Sequence, residues 1–293
     1  MTDPDRARAI AIAGAGAVAQ AMGWALGERG VRIECIASRG LEHARAAASL
    51  FGKTLAVSYG EIARHASHVL VAVSDRAIEA VAAEIAGGGG GVRVALHTCG
   101  ARGAEALAPL AAAGARCGTL HPLQTIRDPV RGAAALRGAA FAVSGDPEAV
   151  AWAVEIAGAL QGQVLRIADN TRPLYHAAAV MASNYVAVLV DCAAQLMERA
   201  GVSREEALRA LAPLVRTAVE NVAEQGAVGA LTGPVVRGDA ATVAGHMRAL
   251  TEGDESVAAL YRAAGLHALR MALQRGLGEK EAEAVRQALL GGR

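Results

Sequence analysis

The sequence predicts an α/β fold in which a doubly wound N-terminal domain is followed by an all-helical domain. Short apolar strands alternate with alanine-rich helices through the first half, a pattern typical of a parallel sheet with helices on both faces. The strand pattern disappears after about residue 168. A length of 293 residues suits two domains of ordinary size. We therefore predict a first domain over residues 1–168 and a second over residues 169–293.

Strand and helix signals alternate throughout the first domain. Strands are predicted at residues 9–13, 31–37, 69–73, 92–97 and 115–120, and helices at residues 18–29, 41–51, 75–86 and 102–113. A strand at residues 141–144, a helix at 147–160 and a strand at 163–167 are predicted to complete the sheet.

Helix signals fill the second domain. One long helix is predicted from about residue 170 to residue 199, and its apolar stretch 177–190 is shorter than the ~18 residues expected of a membrane span. We interpret that stretch as a buried helix. Ser203 and Glu206 have the spacing of a capping box for a helix that ends near residue 225. Asp239, Asp254 and Gly278 mark the starts of further helices.

Charge and cysteine content exclude several classes of function. The 29 basic and 28 acidic side chains are mixed along the chain, so no surface for nucleic acid or an anionic membrane is expected. The four cysteines stand far apart without a CxxC pair, which argues against a zinc site or a disulfide framework, and no metal site is predicted. The N-terminus lacks the pattern of a secretion signal. We expect a cytoplasmic protein with a small-molecule substrate.

A glycine-containing segment joins the first strand to the first helix. Residues 14–19 read GAGAVA, the pattern G-x-G-x-x-A. Gly14 suits the tight turn, Gly16 allows a pyrophosphate close to the backbone, and Ala19 allows close helix-to-strand packing. Ala17 and Val18 open the helix whose N-terminus would hold the phosphates. This segment predicts a dinucleotide site, with a plain tight turn as the alternative.

Two strand ends extend the predicted cofactor site. Ser38 and Arg39 follow the second strand, where an NAD-binding domain normally offers an acidic residue to the ribose. A hydroxyl and a guanidinium instead suit a 2′-phosphate, so NADP(H) is the expected cofactor, with a solvated arginine as the alternative. Val73 and Ser74 end another strand and are expected to border the cofactor. Asp75 is interpreted only as a helix cap.

Several motifs together carry a resemblance to a known family. They are the glycine segment, AVSD at 72–75, HTCGA at 97–101, LHPLQT at 120–125, YHAAAVMASNY at 175–185 and LTGPVVRGD at 231–239. With these motifs the chain resembles proteins that join a Rossmann-like domain to a DUF2520 domain within the superfamily of 6-phosphogluconate dehydrogenase-like enzymes. Some of these proteins are considered an alternative type of ketopantoate reductase.

The resemblance implies NADPH-dependent reduction of a small 2-oxo acid, ketopantoate first, as in pantothenate biosynthesis. It also implies a substrate between the two domains and a homodimer formed through the helical domain. Related enzymes usually carry a catalytic lysine one helical turn before an asparagine on the first long helix. If Asn184 is that asparagine, Val180 occupies the lysine position. A prephenate- or imine-type oxidoreductase and a non-catalytic NADP-binding protein stay open as alternatives.

Two histidines are candidates for the proton donor that carbonyl reduction requires. Pro122 restricts His121 to an extended conformation and so fixes the direction from which the imidazole projects. His176 lies eight residues before Asn184 on the predicted long helix, so the two are expected ~80° apart around its axis. Structural roles are the alternatives: a turn that organises the crossover for His121, and a polar network between helices or across a dimer interface for the other two.

Further polar residues are candidates for binding. Thr98 and Asn184 are expected to orient the carbonyl, and Gln124 is a further substrate-binding candidate. Arg237 is expected to bind a substrate carboxylate, although a salt bridge to Asp239 or Glu220 explains it equally well.

The remaining arginine and histidine candidates rank below these residues. Arg172 is a weaker alternative as the carboxylate ligand. His97 lies either beside the nicotinamide or in a backbone hydrogen bond, and both readings stay open. Four further histidines are interpreted as solvated surface: His43, His65, His246 and His267.

Overall fold

The protein divides into two compact units, and the division lies between Asn184 and Tyr185. The computed structural model describes residues 9–291. The first unit contains a sheet with helices on both faces, and over the described residues the second unit contains helices alone. The predicted fold class, a doubly wound α/β domain followed by an all-helical domain, is therefore confirmed.

The first unit is built on one eight-stranded sheet. Its strands are β1 (Ile10–Ala13), β2 (Ile33–Ala37), β3 (Leu55–Val57), β4 (His68–Val71), β5 (Val94–His97), β6 (Arg116–Pro122), β7 (Ala140–Gly145) and β8 (Gln163–Arg166). Their order across the sheet is β3-β2-β1-β4-β5-β6-β7-β8. Neighbouring strands are parallel, except that β6 and β7 are antiparallel.

Helices cover both faces of this sheet. They are α1 (Ala17–Gly27), α2 (Leu41–Ala48), α3 (Ile62–His65), α4 (Ile78–Gly87), α5 (Ala108–Ala112), α6 (Pro129–Leu136), α7 (Pro147–Ala159) and α8 (Arg172–Ala182). Because successive strand side chains point to opposite faces, Ile10 and Ile12 of β1 join one core with α1, α6 and α7. Ala11 and Ala13 join a second core with α3, α4 and α5. The small residues of the sequence thus fill one face of the central strand.

The turn between β1 and α1 requires glycine. Gly14 has a φ of +126°, a conformation that side chains rarely adopt, and a Cβ atom there would lie 2.1 Å from the carbonyl oxygen of Ala72. At Gly16 a Cβ would meet no atom within 4 Å, so the backbone of this residue is open on one side. Ala19 is fully buried, as expected for a residue that lets α1 pack closely on the sheet.

Three short elements were not predicted from the sequence. Strand β3 has three residues, too few for a periodic pattern. Helix α3 is a single turn. Helix α6 begins at Asp128, whose carboxylate accepts a hydrogen bond from the Arg131 backbone N–H at 2.8 Å. Asp128 followed by Pro129 is a recognisable start signal, so this helix was predictable.

Strand β6 extends two residues beyond its predicted end at residue 120. His121 pairs with Ala142 and Pro122 pairs with Phe141 of the antiparallel neighbour β7. His121 is therefore a sheet residue, although the sequence had suggested a turn after the strand. The antiparallel pairing holds its backbone in the extended conformation that Pro122 also favours.

The predicted long helix is interrupted. Helix α8 ends at Ala182, Ser183 has non-helical torsion angles (φ −125°, ψ −70°), and α9 (Asn184–Arg199) begins immediately afterwards. The side-chain hydroxyl of Ser183 donates to the carbonyl of Ala179 at 2.8 Å. His176 and Asn184 therefore lie on two different helices. The expected separation of ~80° around one helix axis does not apply to them. The compact units divide near this break, later than the predicted boundary after residue 168.

The second unit follows the predicted helix starts closely. Its helices after α9 are α10 (Arg204–Ala230), α11 (Ala240–Thr251), α12 (Glu255–Gln274) and α13 (Glu279–Leu290). Ser203 and Glu206 form the expected capping box, and Asp239 and Asp254 cap α11 and α12. Gly226 has a φ of 72° and breaks α10 one residue after its predicted end. Residues from α11, α12 and α13 form a shared apolar core.

The apolar stretch at 177–190 is not buried, contrary to the prediction. The segment Asp169–Arg199 has the length and composition of a helix that could cross a membrane, yet only 6% of its most apolar 18-residue stretch is buried. Large apolar side chains are exposed on both sides of the break, namely Leu174, Met181, Tyr185, Val188 and Leu189. Helix α10 exposes Leu208, Leu214, Val219 and Val222 in the same way. Monomeric proteins rarely leave such apolar faces uncovered.

Candidate active site

A first cavity of about 560 Å³ opens at the carboxyl ends of β1, β2 and β4, and we call it the glycine-loop cavity. It is lined by Gly14, Gly16, Ala17, Val18, Ser38, Arg39, Val73 and Ser74, which are the predicted cofactor residues except the buried Ala19. Helix α1 starts at Gly16 without a side-chain cap and without an acidic residue in its first turn. Its N-terminal N–H groups are thus available to an anion.

Three further titratable residues line this cavity that the sequence did not assign to it. Tyr59 is 4% exposed; burial raises the pKa of its hydroxyl, and the positive charge of Arg39 acts in the opposite direction. It follows the unpredicted strand β3, so nothing in the sequence placed it there. His43, interpreted as solvated surface, lies in the first turns of α2. Asp75 was interpreted as a cap, but Ser74 occupies the cap position of the short 3₁₀ turn that Asp75 begins.

A second cavity of about 600 Å³ lies between the end of β6 and helix α8, and we call it the histidine cavity. Its polar lining includes His121, Gln124, Tyr175, His176 and Asn184. Val180 also lines it, so the wall is apolar at this position. None of the described residues that line this cavity is Asp, Glu, Lys or Arg. Three of the four predicted catalytic residues therefore lie together, whereas Thr98 lines the glycine-loop cavity.

His121 and Tyr175 form a short hydrogen bond in this cavity. The Nδ1 atom of His121 lies 2.6 Å from the Tyr175 hydroxyl oxygen. The pKa of His121 is lowered to about 4, chiefly by burial and in addition by the charges of His176 and Arg172, while Asp75 opposes the shift. His121 is therefore neutral at neutral pH. Tyr175 was not singled out from the sequence, although it stands next to His176.

Gly100 packs closely against the imidazole rings of His121 and His176. A Cβ atom at this position would lie 2.8 Å from Cε1 and Nε2 of His121 and 2.9 Å from Cδ2 of His176. These distances are well below ordinary van der Waals contact. The two rings themselves have centroids 6.3 Å apart in an edge arrangement. The lack of a side chain at residue 100 therefore allows the two histidines to occupy their positions.

His97 has a structural role in this arrangement. It is fully buried, its Nδ1 accepts the Cys99 backbone N–H at 3.2 Å, and its Nε2 lies 2.8 Å from the Gly103 carbonyl oxygen. Both ring nitrogens are thus occupied by backbone groups, and burial lowers the pKa of the ring. Of the two readings left open by the sequence, the backbone-bonded one describes the structure.

Arg172 is a buried cation at the start of α8. It is 1% exposed, and its Nη2 donates to the hydroxyl oxygens of Thr119 at 2.9 Å and Ser144 at 2.6 Å. Its Nε lies 3.5 Å from the carboxylate of Asp169, outside hydrogen-bond geometry, and its Nη1 is buried without a hydrogen-bond partner. A fully buried guanidinium that is only partly paired is unusual, because burying charge is costly.

The other predicted binding residues have different surroundings. The Gln124 side chain contacts backbone groups: its Nε2 donates to the Ala135 carbonyl at 3.3 Å, and its Oε1 accepts the Thr125 N–H at 2.8 Å. Arg237 belongs to the second unit, is exposed, and forms no ion pair within the described part of the chain. Asp239 instead accepts hydrogen bonds from Thr242. The roles of Gln124 and Arg237 in substrate binding stay predictions.

A metal centre is not indicated by the geometry. Over residues 9–291, no group of three or more His, Cys, Asp or Glu side chains is arranged to hold a metal ion. All four cysteines are free thiols, and three of them are buried.

Family models match two successive segments of the chain. A family model for a Rossmann-like domain matches residues 2–122, and a model for a domain of unknown function, DUF2520, matches residues 139–268. A search of curated proteins found no match.

Solved structures are similar over most of the chain. Protein TM1727 from Thermotoga maritima has a TM-score of 0.74 at 23% identity, over 91% of this chain and 99% of that one. Protein BF3122 from Bacteroides fragilis, described as an NADP oxidoreductase, has a TM-score of 0.70 at 24% identity, over 89% and 97%. Pyrroline carboxylate reductase from Plasmodium falciparum, solved with NADP bound, has a TM-score of 0.57 at 13% identity, over 98% and 97%. At these identities the similarity shows the fold.

The substitution Gly100→Ala is expected to displace His121 and His176 while leaving the fold intact. The new methyl group would overlap both rings, so both imidazoles are expected to shift away from residue 100. NMR of the histidine side chains is expected to show shifted resonances for both imidazoles. Gly158→Ala in α7, where a Cβ meets no atom within 4 Å, is the matched control and is expected to leave them unchanged. Unchanged imidazole resonances in Gly100→Ala would contradict the packing described.

Proposed function

The chain combines a Rossmann-like domain with a DUF2520 domain, and we propose that it is an NADPH-dependent reductase of a small carbonyl or imine compound. One observation carries the proposal. A cavity with the features of a dinucleotide site lies beside a cavity that holds a hydrogen-bonded histidine–tyrosine pair, both within the first unit. Thr98 of the first cavity follows β5 and His121 of the second lies near the end of β6, and these two parallel strands are neighbours, so both cavities open at the same end of the sheet.

The residues of the glycine-loop cavity fit NADP(H). The uncapped N-terminus of α1 offers N–H groups to a pyrophosphate, and the open face of Gly16 allows close approach. At the end of β2, Ser38 and Arg39 stand where an acidic residue would select NAD. A guanidinium favours the additional phosphate of NADP. The NADP-bound state of the Plasmodium falciparum reductase supports the same choice.

The histidine cavity would receive the substrate. NADPH supplies a hydride, and the substrate atom that gains negative charge then needs a proton from the protein. His121 and His176 are the candidates predicted for this transfer, with Asn184 as a hydrogen-bond partner of the substrate and Thr98 beside the cofactor. If Asn184 is the asparagine of related enzymes, Val180 stands at their lysine position, and its side chain cannot exchange a proton.

Two substrate classes are consistent with this site. A 2-oxo acid such as ketopantoate is the first candidate. No Lys or Arg is among the described residues that line the histidine cavity, and Arg237 stays the residue predicted from the sequence to bind the substrate carboxylate. A cyclic imine is the second candidate. It is favoured by the similarity to pyrroline carboxylate reductase, which extends over 98% of this chain.

We also propose that the protein is a cytoplasmic homodimer. Helices α9 and α10 expose large apolar side chains that a soluble protein would cover, among them Leu189, 49% exposed, and Leu214, 65% exposed. A second copy of the chain, contacting these helices of the second unit, would remove them from water. Four free thiols suit a reducing compartment.

The substitution Arg39→Ala is expected to weaken NADPH binding about 10- to 100-fold while leaving NADH binding nearly unchanged, because only NADPH carries the phosphate that the guanidinium binds. Fluorescence titration with each dinucleotide measures both affinities. Arg45→Ala, an exposed arginine of α2 outside the cavity, is the control. An equal loss of NADH and NADPH affinity would contradict the phosphate assignment.

The reductase activity is tested by NADPH oxidation with a panel of 2-oxo acids and imines. We expect turnover with at least one member, and at least ~100-fold slower turnover in His121→Ala or His176→Ala with NADPH affinity retained. Binding of NADPH without turnover on any substrate would favour a non-catalytic NADP-binding protein. Full activity in both variants would remove these histidines from the reaction.

The substitution Leu189→Glu is expected to convert a dimer to a monomer, because a carboxylate would be buried without a partner at the interface. Light scattering coupled to size-exclusion chromatography measures the mass. Lys280→Glu, on the exposed surface of α13, is expected to stay dimeric. A monomeric wild type that binds lipid vesicles would instead assign the apolar helices to a membrane surface.

A further inference from the structure

We propose that Tyr175 is the proton donor of the histidine cavity and that His121 and Arg172 are its positioning residues. The proposal rests on the reductase function described above and replaces the histidines as the proton source. Three observations support it. His121 and Tyr175 are hydrogen-bonded, the charge of Arg172 is buried one helical turn before Tyr175, and Tyr175 lines the histidine cavity.

His121 is poorly suited to donate the proton itself. Its pKa of about 4 leaves a very small fraction of imidazolium at neutral pH. As a neutral ring it can still direct a proton, because Nδ1 carries a hydrogen in one tautomer and donates it to the Tyr175 oxygen 2.6 Å away. In that tautomer the Tyr175 O–H is free to point into the cavity. His121 thereby fixes the orientation of the phenol.

Arg172 supplies a fixed positive charge to the same pair. Its guanidinium is anchored to Thr119 and Ser144, so it cannot swing into solvent. Burial raises the pKa of Tyr175, and the charge of Arg172 opposes that increase. A cation near the phenol stabilises the phenolate that proton donation leaves behind. Asp169 lies 3.5 Å from Nε without forming a hydrogen bond to it, and Nη1 has no hydrogen-bond partner among the described residues.

The proposed step balances without a further reactant. Hydride adds to the carbonyl or imine carbon, and the π-electron pair moves to the oxygen or nitrogen. The Tyr175 O–H bond breaks and a new O–H or N–H bond forms on the substrate, which leaves Tyr175 as a phenolate. The His121 Nδ1–H donates to this phenolate, and water then returns a proton to it. For a substrate that is already protonated as an iminium ion, this proton transfer is not required.

Several charged groups surround the pair and contribute to its titration. Tyr175 is influenced by Arg172, and His121 by His176, Arg172, Asp75 and His97. Tyr175 donates only when protonated, so activity is expected to fall as the pH rises through its pKa. Removal of the Arg172 charge would raise that pKa and move the loss of activity to higher pH.

The decisive variant is Tyr175→Phe, which keeps the ring and removes the hydroxyl. With a carbonyl substrate we expect kcat to fall at least ~100-fold while NADPH affinity, measured by fluorescence, stays within about twofold. Tyr261→Phe is the matched control, because the Tyr261 hydroxyl also bonds a histidine, Nδ1 of His246 at 2.8 Å, but belongs to the second unit. Activity retained in Tyr175→Phe would overturn the assignment.

The role of Arg172 is tested by the pH profile of kcat/KM. Arg172→Met is expected to shift the alkaline loss of activity to higher pH, whereas Arg172→Lys keeps a charge and is expected to shift it less. Should Arg172→Met fail to fold, Arg172→Lys and titration of the Tyr175 absorbance in the wild type against Tyr175→Phe decide the question. An alkaline limb that stays unchanged in Tyr175→Phe would overturn the proposal.

The proposal and the reductase function fail in different ways. Absence of NADPH oxidation by the wild type with every substrate would overturn the reductase function and the donor assignment with it. Wild-type turnover that persists in Tyr175→Phe and is lost in His176→Ala would leave the reductase function standing and overturn the donor assignment alone.

Discussion

Helix α8 is held against strand β6 by two polar contacts in matching register, and the histidine cavity depends on both. Thr119 and His121 lie two residues apart on β6, so they share a face and are separated by ~6.6 Å. Arg172 and Tyr175 lie three residues apart on α8, so they share a face with a rise of ~4.5 Å. Arg172 therefore reaches Thr119 while Tyr175 reaches His121. The contact between Arg172 and Thr119 anchors the helix in the interior, and the contact between Tyr175 and His121 lies in the wall of the histidine cavity.

Local patterns made the sheet and the glycine turn predictable, since apolar strands and the sequence GAGAVA determine their own neighbourhood. The helix starts of the second unit were predictable for the same reason, because a capping residue acts on the backbone next to it. Other features depend on distant partners: β6 was extended by its pairing with β7, and Tyr59 reached the glycine-loop cavity only through the short strand β3. The exposed state of residues 177–190 could not be predicted from apolar composition, because composition alone does not distinguish burial within a chain from burial between molecules.

The apolar wall at Val180 and the neutral His121 belong to a cavity that has no Asp, Glu, Lys or Arg among its described lining residues. Arg172 is a cation buried in the interior, and its charge acts on Tyr175 and His121 of this cavity. In the proposed reaction such a cavity would bind substrate mainly through shape and hydrogen bonds, and the developing charge would meet groups that the fold already orients. Electrostatic preorganisation of this kind costs no rearrangement when the reaction occurs.

The uncovered apolar faces of α9 and α10 also bear on how much folded protein a cell can maintain. In the proposed homodimer, a second copy that covers these faces would bind the folded chain and not the unfolded one, so association would draw the folding equilibrium toward the native state. Stability would then depend on concentration, and dilute chains would unfold at a lower temperature than concentrated ones. A higher rate of synthesis would raise the chain concentration, and with it the fraction of all chains that stays folded.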